Sequence, residues 1–123
     1  MADDVIMTGN RNDVPELLGA MDRFCFPSLW EGLPVTLIEA QAAGLPCIIS
    51  DTITHDVDVS PLVTRLPPEN AARWADELLD PKHYRADATA YIVRSGFDVQ
   101  ASAKRMFDLY SELDAESRRE TGR

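Results

Sequence analysis

Residues 24–43, FCFPSLWEGLPVTLIEAQAA, predict a short buried strand, a tight loop and a helix. Phe24–Phe26 is apolar on both faces, which is typical of a parallel strand covered on both sides. Pro27 ends the strand, and Pro34 takes the first helical position, where its missing N–H costs nothing. We expect the helix to end at Gly44 in the left-handed conformation.

The start of this predicted helix lacks a side-chain cap, because Leu33, which precedes Pro34, is a poor capping residue. Its first amides are therefore expected to be free. Free amides at a helix N-terminus attract anions. The turn before the helix is thus a candidate anion-binding site.

Two carboxylates, Glu31 and Glu39, flank this turn with seven residues between them. We expect Glu39 to be largely buried, because apolar residues cover most of its helix: Val35, Leu37, Ile38, Ala40, Ala42 and Ala43. A buried carboxylate without a partner is costly, and hydroxyl groups of a ligand would satisfy it. The alternative is that Glu39 lies on a narrow polar strip with Thr36. The spacing alone leaves both interpretations open.

Composition limits the function classes. The chain of 123 residues forms one domain at most, and its 45% apolar content is ordinary for a globular protein. A net charge of -9 argues against binding to nucleic acid or to an anionic membrane surface. No stretch is long and apolar enough to span a bilayer, and no signal-peptide pattern is present. Cys25 and Cys47 fall in predicted buried strands and are interpreted as reduced core residues of a cytosolic protein.

Periodicity and turn residues predict the remaining elements. Strands are predicted at residues 4–8, 46–50 and 62–66, and helices at 13–21, 70–79, 84–95 and 98–113. The expected helix caps are Asp13 (in a capping box with Glu16), Asn70 and Asp98, with Gly96 as a C-terminal stop. We expect Trp74 and Tyr110 to be core residues. The last helix carries an apolar stripe: Val99, Ala103, Met106, Tyr110 and Leu113.

This order of elements predicts an α/β fold with a parallel sheet of about four strands flanked by helices. Ligands of such sheets bind at the carboxyl ends of the strands. Residues 28–33 follow the carboxyl end of the predicted strand Phe24–Phe26, so they are the predicted binding region.

Three segments resemble one known family: GNRNDVPELLGAMD (9–22), FPSLWEGLPVTLIEAQAAGLPCIISD (26–51) and THDVD (54–58). They are similar to the donor-binding domain of family 4 retaining glycosyltransferases, which have the GT-B fold, and most of all to bacterial capsular or exopolysaccharide enzymes. The resemblance covers roughly residues 4–80. It implies a Rossmann-like, cytoplasmic domain, with the inner face of the membrane as an alternative location.

The resemblance implies a role for each matching residue. Glu39 would hold the ribose hydroxyls of the nucleotide, and Glu31 would face the donor sugar. The other matching positions are the amides of Gly32, Leu33 and Val35, which receive the diphosphate, and the loop 9–11 with Arg11, which lies near the base. The family transfers a hexose from a nucleotide diphosphate sugar, favours UDP, and needs no metal or other cofactor.

The chain also departs from the family. GT-B enzymes have two Rossmann-like domains, whereas residues 1–113 match part of the donor-binding domain and residues 114–123 form a polar tail that we expect to fray. We expect the acceptor domain and the first two strands of the donor domain to be absent from this chain. In the strand order 3-2-1-4-5-6, those strands would lie between residues 4–8 and Phe24–Phe26.

Two functions remain open. The chain is either the donor-binding part of a transferase, working with a separate acceptor-domain chain, or a non-catalytic fragment. Such a fragment would bind nucleotide weakly, or associate with itself or a partner through its sheet edge and last helix.

Other motifs near the site have simpler interpretations. Asp56-Val57-Asp58 spells the D-x-D motif of metal-dependent glycosyltransferases, but we interpret these residues as solvated loop acids. His55 and His83 lack the spacing of a zinc site, and Ser28 has no partner expected of a nucleophile. Trp30 either borders the sugar pocket or packs under the loop, and packing is favoured. Arg11 is either a ligand contact or an exposed loop residue.

Overall fold

The computed structural model describes residues 2–121, so Met1 and the last two positions of the predicted tail lie outside the described residues. The strands are β1 (Phe24–Phe26), β2 (Cys47–Ser50) and β3 (Val63–Leu66). The α-helices are α1 (Val14–Ala20), α2 (Val35–Ala42), α3 (Ala71–Leu79), α4 (Thr89–Arg94) and α5 (Val99–Thr121). Short 3-10 turns lie at Ala2–Asp4 and His55–Val57.

The three strands form a parallel sheet in the order β1-β2-β3. Phe24 pairs with Cys47, and Cys47 pairs with Val63. Helices α1, α2 and α4 pack together on one face of the sheet, and α3 packs on the other. This arrangement confirms the predicted α/β class and the partial Rossmann-like fold, with three strands where about four were predicted.

β2 is the buried centre of the fold, and all four of its residues are inaccessible to solvent. Side chains alternate between the two faces of a strand. Cys47 and Ile49 therefore join the cluster beneath α2, while Ile48 joins Leu66 and Trp74 beneath α3. Trp74 is 6% exposed, which confirms its predicted place in the core.

Cys25 corrects the prediction that β1 is covered on both faces. Phe24 and Phe26 pack against the cluster beneath α2, whereas Cys25 points to the opposite face and is exposed. On that face the buried cluster comprises Ile48, Leu66 and Trp74, with Leu78 packed against it, so α3 covers β2 and β3 but not β1.

The predicted strand at residues 4–8 is wrong. After the turn at Ala2–Asp4 the chain has no regular structure up to α1, and Val5, Ile6 and Met7 are exposed. A strand requires a hydrogen-bonding neighbour, and β1 pairs only with β2 among the described residues. Residues 4–8 have no neighbouring strand within the described part of the chain, and this is the physical reason.

The helix boundaries confirm most predicted caps. Asn70 and Asp98 accept hydrogen bonds from the backbone N–H groups of Arg73 (3.0 Å) and Ala101 (2.7 Å), respectively. Gly44 and Gly96 both have positive φ. Asp13 precedes α1 as predicted, but its side chain makes no capping hydrogen bond.

The C-terminal helices differ from prediction in two ways. α4 starts at Thr89 rather than near residue 84. At this start, the carboxylate of Asp87 accepts a hydrogen bond from the Thr89 N–H (2.9 Å). α5 does not fray after residue 113 but continues through Thr121, and its apolar stripe is exposed. Tyr110, predicted to be core, is 65% exposed. Within residues 2–121, no helix has the length and apolar character that crossing a membrane requires.

Candidate functional site

The N-terminus of α2 has free backbone donors, as predicted. α2 begins at Val35, so Pro34 is the N-cap residue rather than the first helical residue that was expected. No side chain caps the helix. Leu37 N–H donates to the carbonyl of Pro34 (3.0 Å). The amides of Val35 and Thr36 donate to no oxygen within the described part of the chain. They therefore form a small positive end at the carboxyl edge of the sheet.

The loop between β1 and α2 positions Glu31. The Ser28 hydroxyl donates to the Glu31 carboxylate over 2.8 Å and lies 3.3 Å from the carbonyl oxygen of Trp30. Glu31 and Gly32 are exposed, as are the flanking apolar residues Leu33 and Val35. Glu31 is thus held by one short contact while its carboxylate remains open to solvent.

Trp30 does not pack under this loop, which corrects the favoured interpretation. Its side chain is 91% exposed, so the indole projects into solvent beside Glu31. A Trp in this position leaves a large apolar surface uncovered, and Leu29 next to it is also exposed.

Glu39 is exposed, which corrects the prediction that it is largely buried. The buried face of α2 consists instead of Leu37, Ile38, Ala40 and Gln41. Thr36 is exposed too, as the polar-strip interpretation requires. The Glu39 carboxylate has no hydrogen-bond or ion-pair partner among residues 2–121.

Glu39 lines a cleft of about 570 Å³ between α1 and α2. The walls of this cleft are mainly apolar and come from both helices: Val14, Pro15, Leu18, Thr36, Ala42 and Ala43. An apolar cleft with one convergent charged group is the usual form of a small-molecule site. The arrangement could hold a flat apolar group beside hydroxyls that donate to the carboxylate.

Arg11 lies just before the first helix of this cleft and is paired with Asp13. Its Nε donates to one Asp13 carboxylate oxygen over 2.7 Å, and Nη2 contacts the other. The hydrogen bond with Arg11 lowers the pKa of Asp13, and the same bond raises the pKa of Arg11. This pair occupies the Asp13 side chain that would otherwise cap α1.

Gln41 is the buried polar residue of α2, and the sequence analysis did not identify it. Its side chain is 0% exposed and donates to the carbonyls of Leu37 (3.0 Å) and Val57 (2.8 Å). The signal was available, because Gln41 lies three and four residues after Ile38 and Leu37 on the buried helix face.

Arg65 organises the loop that follows β2. Its guanidinium binds the Asp58 carboxylate (2.9 Å) and donates to the carbonyls of Ile53 (2.7 Å) and Thr54 (2.8 Å). His55 Nδ1 lies 2.8 Å from the same carboxylate. Burial raises the pKa of Asp58, but the hydrogen bonds and positive charge of Arg65 and His55 outweigh it and lower the pKa overall.

The D-x-D residues therefore have structural contacts. Asp58 is bound by Arg65, Val57 is fully buried, and Asp56 accepts a hydrogen bond from the Thr54 hydroxyl (3.1 Å). No group of three His, Cys, Asp or Glu residues is placed to hold a metal ion within the described range.

The chain matches the family model described as glycosyl transferases group 1 over residues 1–80. The EpsF protein of Bacillus subtilis, whose name describes it as a glycosyltransferase, is 40% identical over 116 residues, covering 88% of this chain and 30% of EpsF. The UDP-Gal:alpha-D-GlcNAc-diphosphoundecaprenol alpha-1,3-galactosyltransferase of Escherichia coli is 53% identical over 47 residues, which is 38% of this chain and 12% of that protein.

A third relative is the lipopolysaccharide core biosynthesis mannosyltransferase LpsB of Rhizobium meliloti, 35% identical over 51 residues, which is 42% of this chain and 14% of LpsB. The chain spans less than a third of the length of each of these relatives. No solved structure matches the chain.

Proposed function

The chain belongs to the group 1 glycosyl transferases, and on this basis we propose that it is the donor-binding part of a retaining glycosyltransferase. The proposed donor is a nucleotide diphosphate hexose with UDP as the nucleotide. The proposed acceptor is a glycan or a lipid-linked glycan in polysaccharide biosynthesis. The name of the Escherichia coli relative, which contains both UDP-Gal and a diphosphoundecaprenol acceptor, supports both choices.

One observation carries this proposal: the unpartnered carboxylate of Glu39 lies in an apolar cleft on the same helix whose first amides are free. The amides of Gly32, Leu33 and Val35 would receive the diphosphate, since a helix N-terminus stabilises negative charge. The Glu39 carboxylate would accept hydrogen bonds from the ribose hydroxyls, which are strong because the acceptor is charged.

Two further residues complete the proposed donor site. Glu31, oriented by Ser28, would face the donor sugar. Arg11 would reach the base from the loop before α1, where it now pairs with Asp13. The base itself would lie against the apolar wall of the cleft, which Val14, Pro15 and Leu18 provide.

In the proposed reaction the bond between the sugar and the diphosphate breaks, and the acceptor attacks from the same face. Negative charge then grows on the leaving diphosphate, where the free amides of α2 would stabilise it. The residues of this chain would therefore act by positioning the donor and by stabilising charge on the leaving group. The acceptor would be bound by a separate chain or domain.

Thermal unfolding of the 123-residue chain tests the donor site, with UDP, GDP or ADP at millimolar concentration. A ligand at 100 times its dissociation constant adds about 2.7 kcal/mol to the free energy of unfolding. That corresponds to a rise of several degrees in Tm. We expect UDP to raise Tm in the wild type and in Glu69→Ala, an exposed acid outside the cleft, but not in Glu39→Ala.

The non-catalytic alternative has a distinct outcome. If the chain unfolds cooperatively and no nucleotide raises Tm, the donor site is not functional in this chain. The exposed edge of β1 and the exposed face of α5 would then favour association as its role.

A further inference from the structure

The short helix α1 forms one wall of the Glu39 cleft, yet its own side chains hold it only weakly. α1 has seven residues, and a helix of this length is not stable by itself in water. Among these residues, all of them described, Leu18 is the one buried side chain. Asp13 does not cap the start of the helix, because Arg11 binds its carboxylate. The position of α1 beside α2 therefore depends on contacts from elsewhere in the chain.

Arg85 supplies such a contact at the end of α1. Its Nη2 donates to the Leu18 carbonyl over 2.7 Å, and its Nη1 lies 3.3 Å from the carbonyl oxygen of Gly19 and 3.5 Å from that of Met21. The last carbonyls of an α-helix have no partner inside the helix. A guanidinium carries five donors and a fixed positive charge, so it can bind these carbonyls and stabilise the negative end of the helix.

The backbone beside Arg85 is bonded to the end of α2. The N–H of Ala86 donates to the carbonyl of Gly44 (3.1 Å), two residues after α2. The two segments lie so close that a Cβ added to Gly44 would be 2.7 Å from the carbonyl oxygen of Ala86. Two adjacent residues therefore connect the ends of both helices that line the cleft, one through its side chain and one through its backbone.

Residues 80–88, which join α3 to α4, have further contacts that fix them in place. The carbonyl of Asp80 accepts a hydrogen bond from the N–H of His83 (3.2 Å), and His83 Nε2 lies 2.8 Å from the carboxylate of Glu77 in α3. Arg23, just before β1, donates to the same Asp80 carbonyl (3.3 Å). This loop is thus a fixed support from which the guanidinium can position α1.

Leu18 joins this support to the ligand site. Its side chain lines the cleft, and its carbonyl makes the shortest of the hydrogen bonds to Arg85. The Glu39 carboxylate lies on the opposite wall of the cleft, on α2. The way in which α1 is held against α2 therefore sets the distance between the apolar wall and the carboxylate. A site that is already held in its bound shape binds more tightly, because the ligand does not have to order it.

We propose that Arg85 is a positioning residue of the donor site, which holds α1 against α2 at the separation that a nucleotide requires. Arg85 does not itself line the cleft. The inference rests on the proposed donor function, which it deepens. It also extends the residues that shape the donor site beyond residues 1–80, the part of the chain that the family model matches.

Calorimetric titration of the full chain with UDP, at a temperature well below every Tm, tests this role through Arg85→Met. Methionine keeps most of the alkyl chain and removes every donor. Arg85 is exposed, so its replacement leaves no buried cavity and we expect the variant to fold. We expect the Kd for UDP to rise about fivefold to tenfold, because binding must then order α1. Arg85→Lys returns a cation to the same place and should recover part of the lost affinity.

Arg73→Met is the matched control. It removes an exposed arginine of α3, and we expect it to leave the Kd for UDP within about twofold of wild type. This control is needed because UDP is an anion and the chain has a net charge of -9, so that loss of any positive charge weakens the attraction.

Hydrogen exchange without ligand shows whether α1 is the element affected. In Arg85→Met, the amides that bond at the two ends of α1, those of Leu17 and Met21, should exchange about tenfold faster than in wild type. The amides of Ala43 and Ile92, beside α2 and in α4, should exchange as in wild type. A side chain that only stabilised the whole fold would change exchange in all helices alike and leave the Kd of the folded chain unchanged.

The outcomes distinguish this inference from the proposed function. If wild type does not bind UDP, the proposed donor site fails and the role of Arg85 is overturned with it. If wild type binds UDP, an unchanged Kd in Arg85→Met or unchanged exchange in α1 would overturn the role of Arg85 alone. An equal loss of affinity in Arg73→Met would overturn it too, since the loss of charge would then explain the effect.

Discussion

The amide oxygen of Gln41 accepts two hydrogen bonds from Ser60, one from its backbone N–H (3.1 Å) and one from its hydroxyl (2.8 Å). The amide nitrogen of the same side chain donates to the carbonyl of Val57. One fully buried side chain thus connects α2 to the long connection between β2 and β3. In this parallel crossover, the 3-10 turn His55–Val57 stands where a helix is usual.

Gln41→Leu is expected to lower the free energy of unfolding by about 3 kcal/mol, because it leaves several buried polar groups without partners. Urea unfolding followed by circular dichroism measures the loss. Gln100→Leu makes the same change at an exposed position of α5, and we expect a change within about 0.5 kcal/mol. Equal losses in the two variants would contradict a specific role for the Gln41 contacts.

Gly44→Ala and Gly19→Ala are expected to change stability in opposite directions. Gly44 has φ +76°, and a Cβ there would lie 2.7 Å from the carbonyl oxygen of Ala86, so we expect a loss of more than about 1 kcal/mol. Gly19 lies inside α1 with no atom within 4 Å of an added Cβ, so alanine should stabilise the helix by about 0.5–1 kcal/mol. Urea midpoints of both variants check the two signs, and stabilisation by Gly44→Ala would refute the packing described.

The Asp58–Arg65 ion pair predicts a pH dependence of stability. The pKa of Asp58 is lower in the folded chain than its ordinary value of about 4. Ionised Asp58 therefore stabilises the fold above pH 4, and this contribution is lost as the pH falls through the lowered pKa. We expect Asp58→Asn to have a lower Tm than wild type at pH 7, and the difference to shrink below pH 4.

The control for this pH series is Asp76→Asn, which makes the same change at an exposed position of α3. Its Tm should follow that of wild type across the pH range. A difference between wild type and Asp58→Asn that stays constant down to pH 3 would show that the carboxylate charge is not the cause.

The two thiols should differ in reactivity. Cys25 is exposed on the uncovered face of β1, whereas Cys47 is buried in β2, and burial raises its pKa to about 12. Only the thiolate reacts, so an aromatic disulfide reagent at pH 8 should modify one thiol in the native chain and two in urea. Cys25→Ser should abolish the native reaction, and Cys47→Ser should leave it. Rapid modification of both thiols in the native chain would contradict the burial of β2.

Local features of the chain were predictable from the sequence. The apolar run at residues 47–49, the glycines at positions 44 and 96 and the caps Asn70 and Asp98 each act within one turn or strand, so neighbouring residues decide them. The free amides at the start of α2 were also predictable, because the lack of a capping side chain is visible in the sequence.

The candidate site was predictable only in part. Sequence analysis placed Glu31, Gly32 and Leu33 in the segment before α2 and Val35 near the start of the helix, and the structure has them there. Its expectation that Glu39 is largely buried was wrong. Glu39 and Gln41 lie on one short helix, and the sequence does not show which face of that helix meets other elements. Their binding roles stay predictions.

Tertiary structure alone decided which faces are covered. Gln41 is buried because the connection after β2 folds over its side of α2, and Glu39 is open because α1 leaves a cleft there. Cys25 and the apolar stripe of α5 are exposed because, within residues 2–121, nothing covers those faces. The sequence by itself determined that the segments of β1, β2 and β3 become strands and that those of the five helices become helical, since these choices depend mainly on local backbone preference. Whether residues 4–8 form a strand depended on a neighbouring strand, which only the tertiary structure could show. Burial depends on which elements become neighbours, and only the assembled sheet and helices set that.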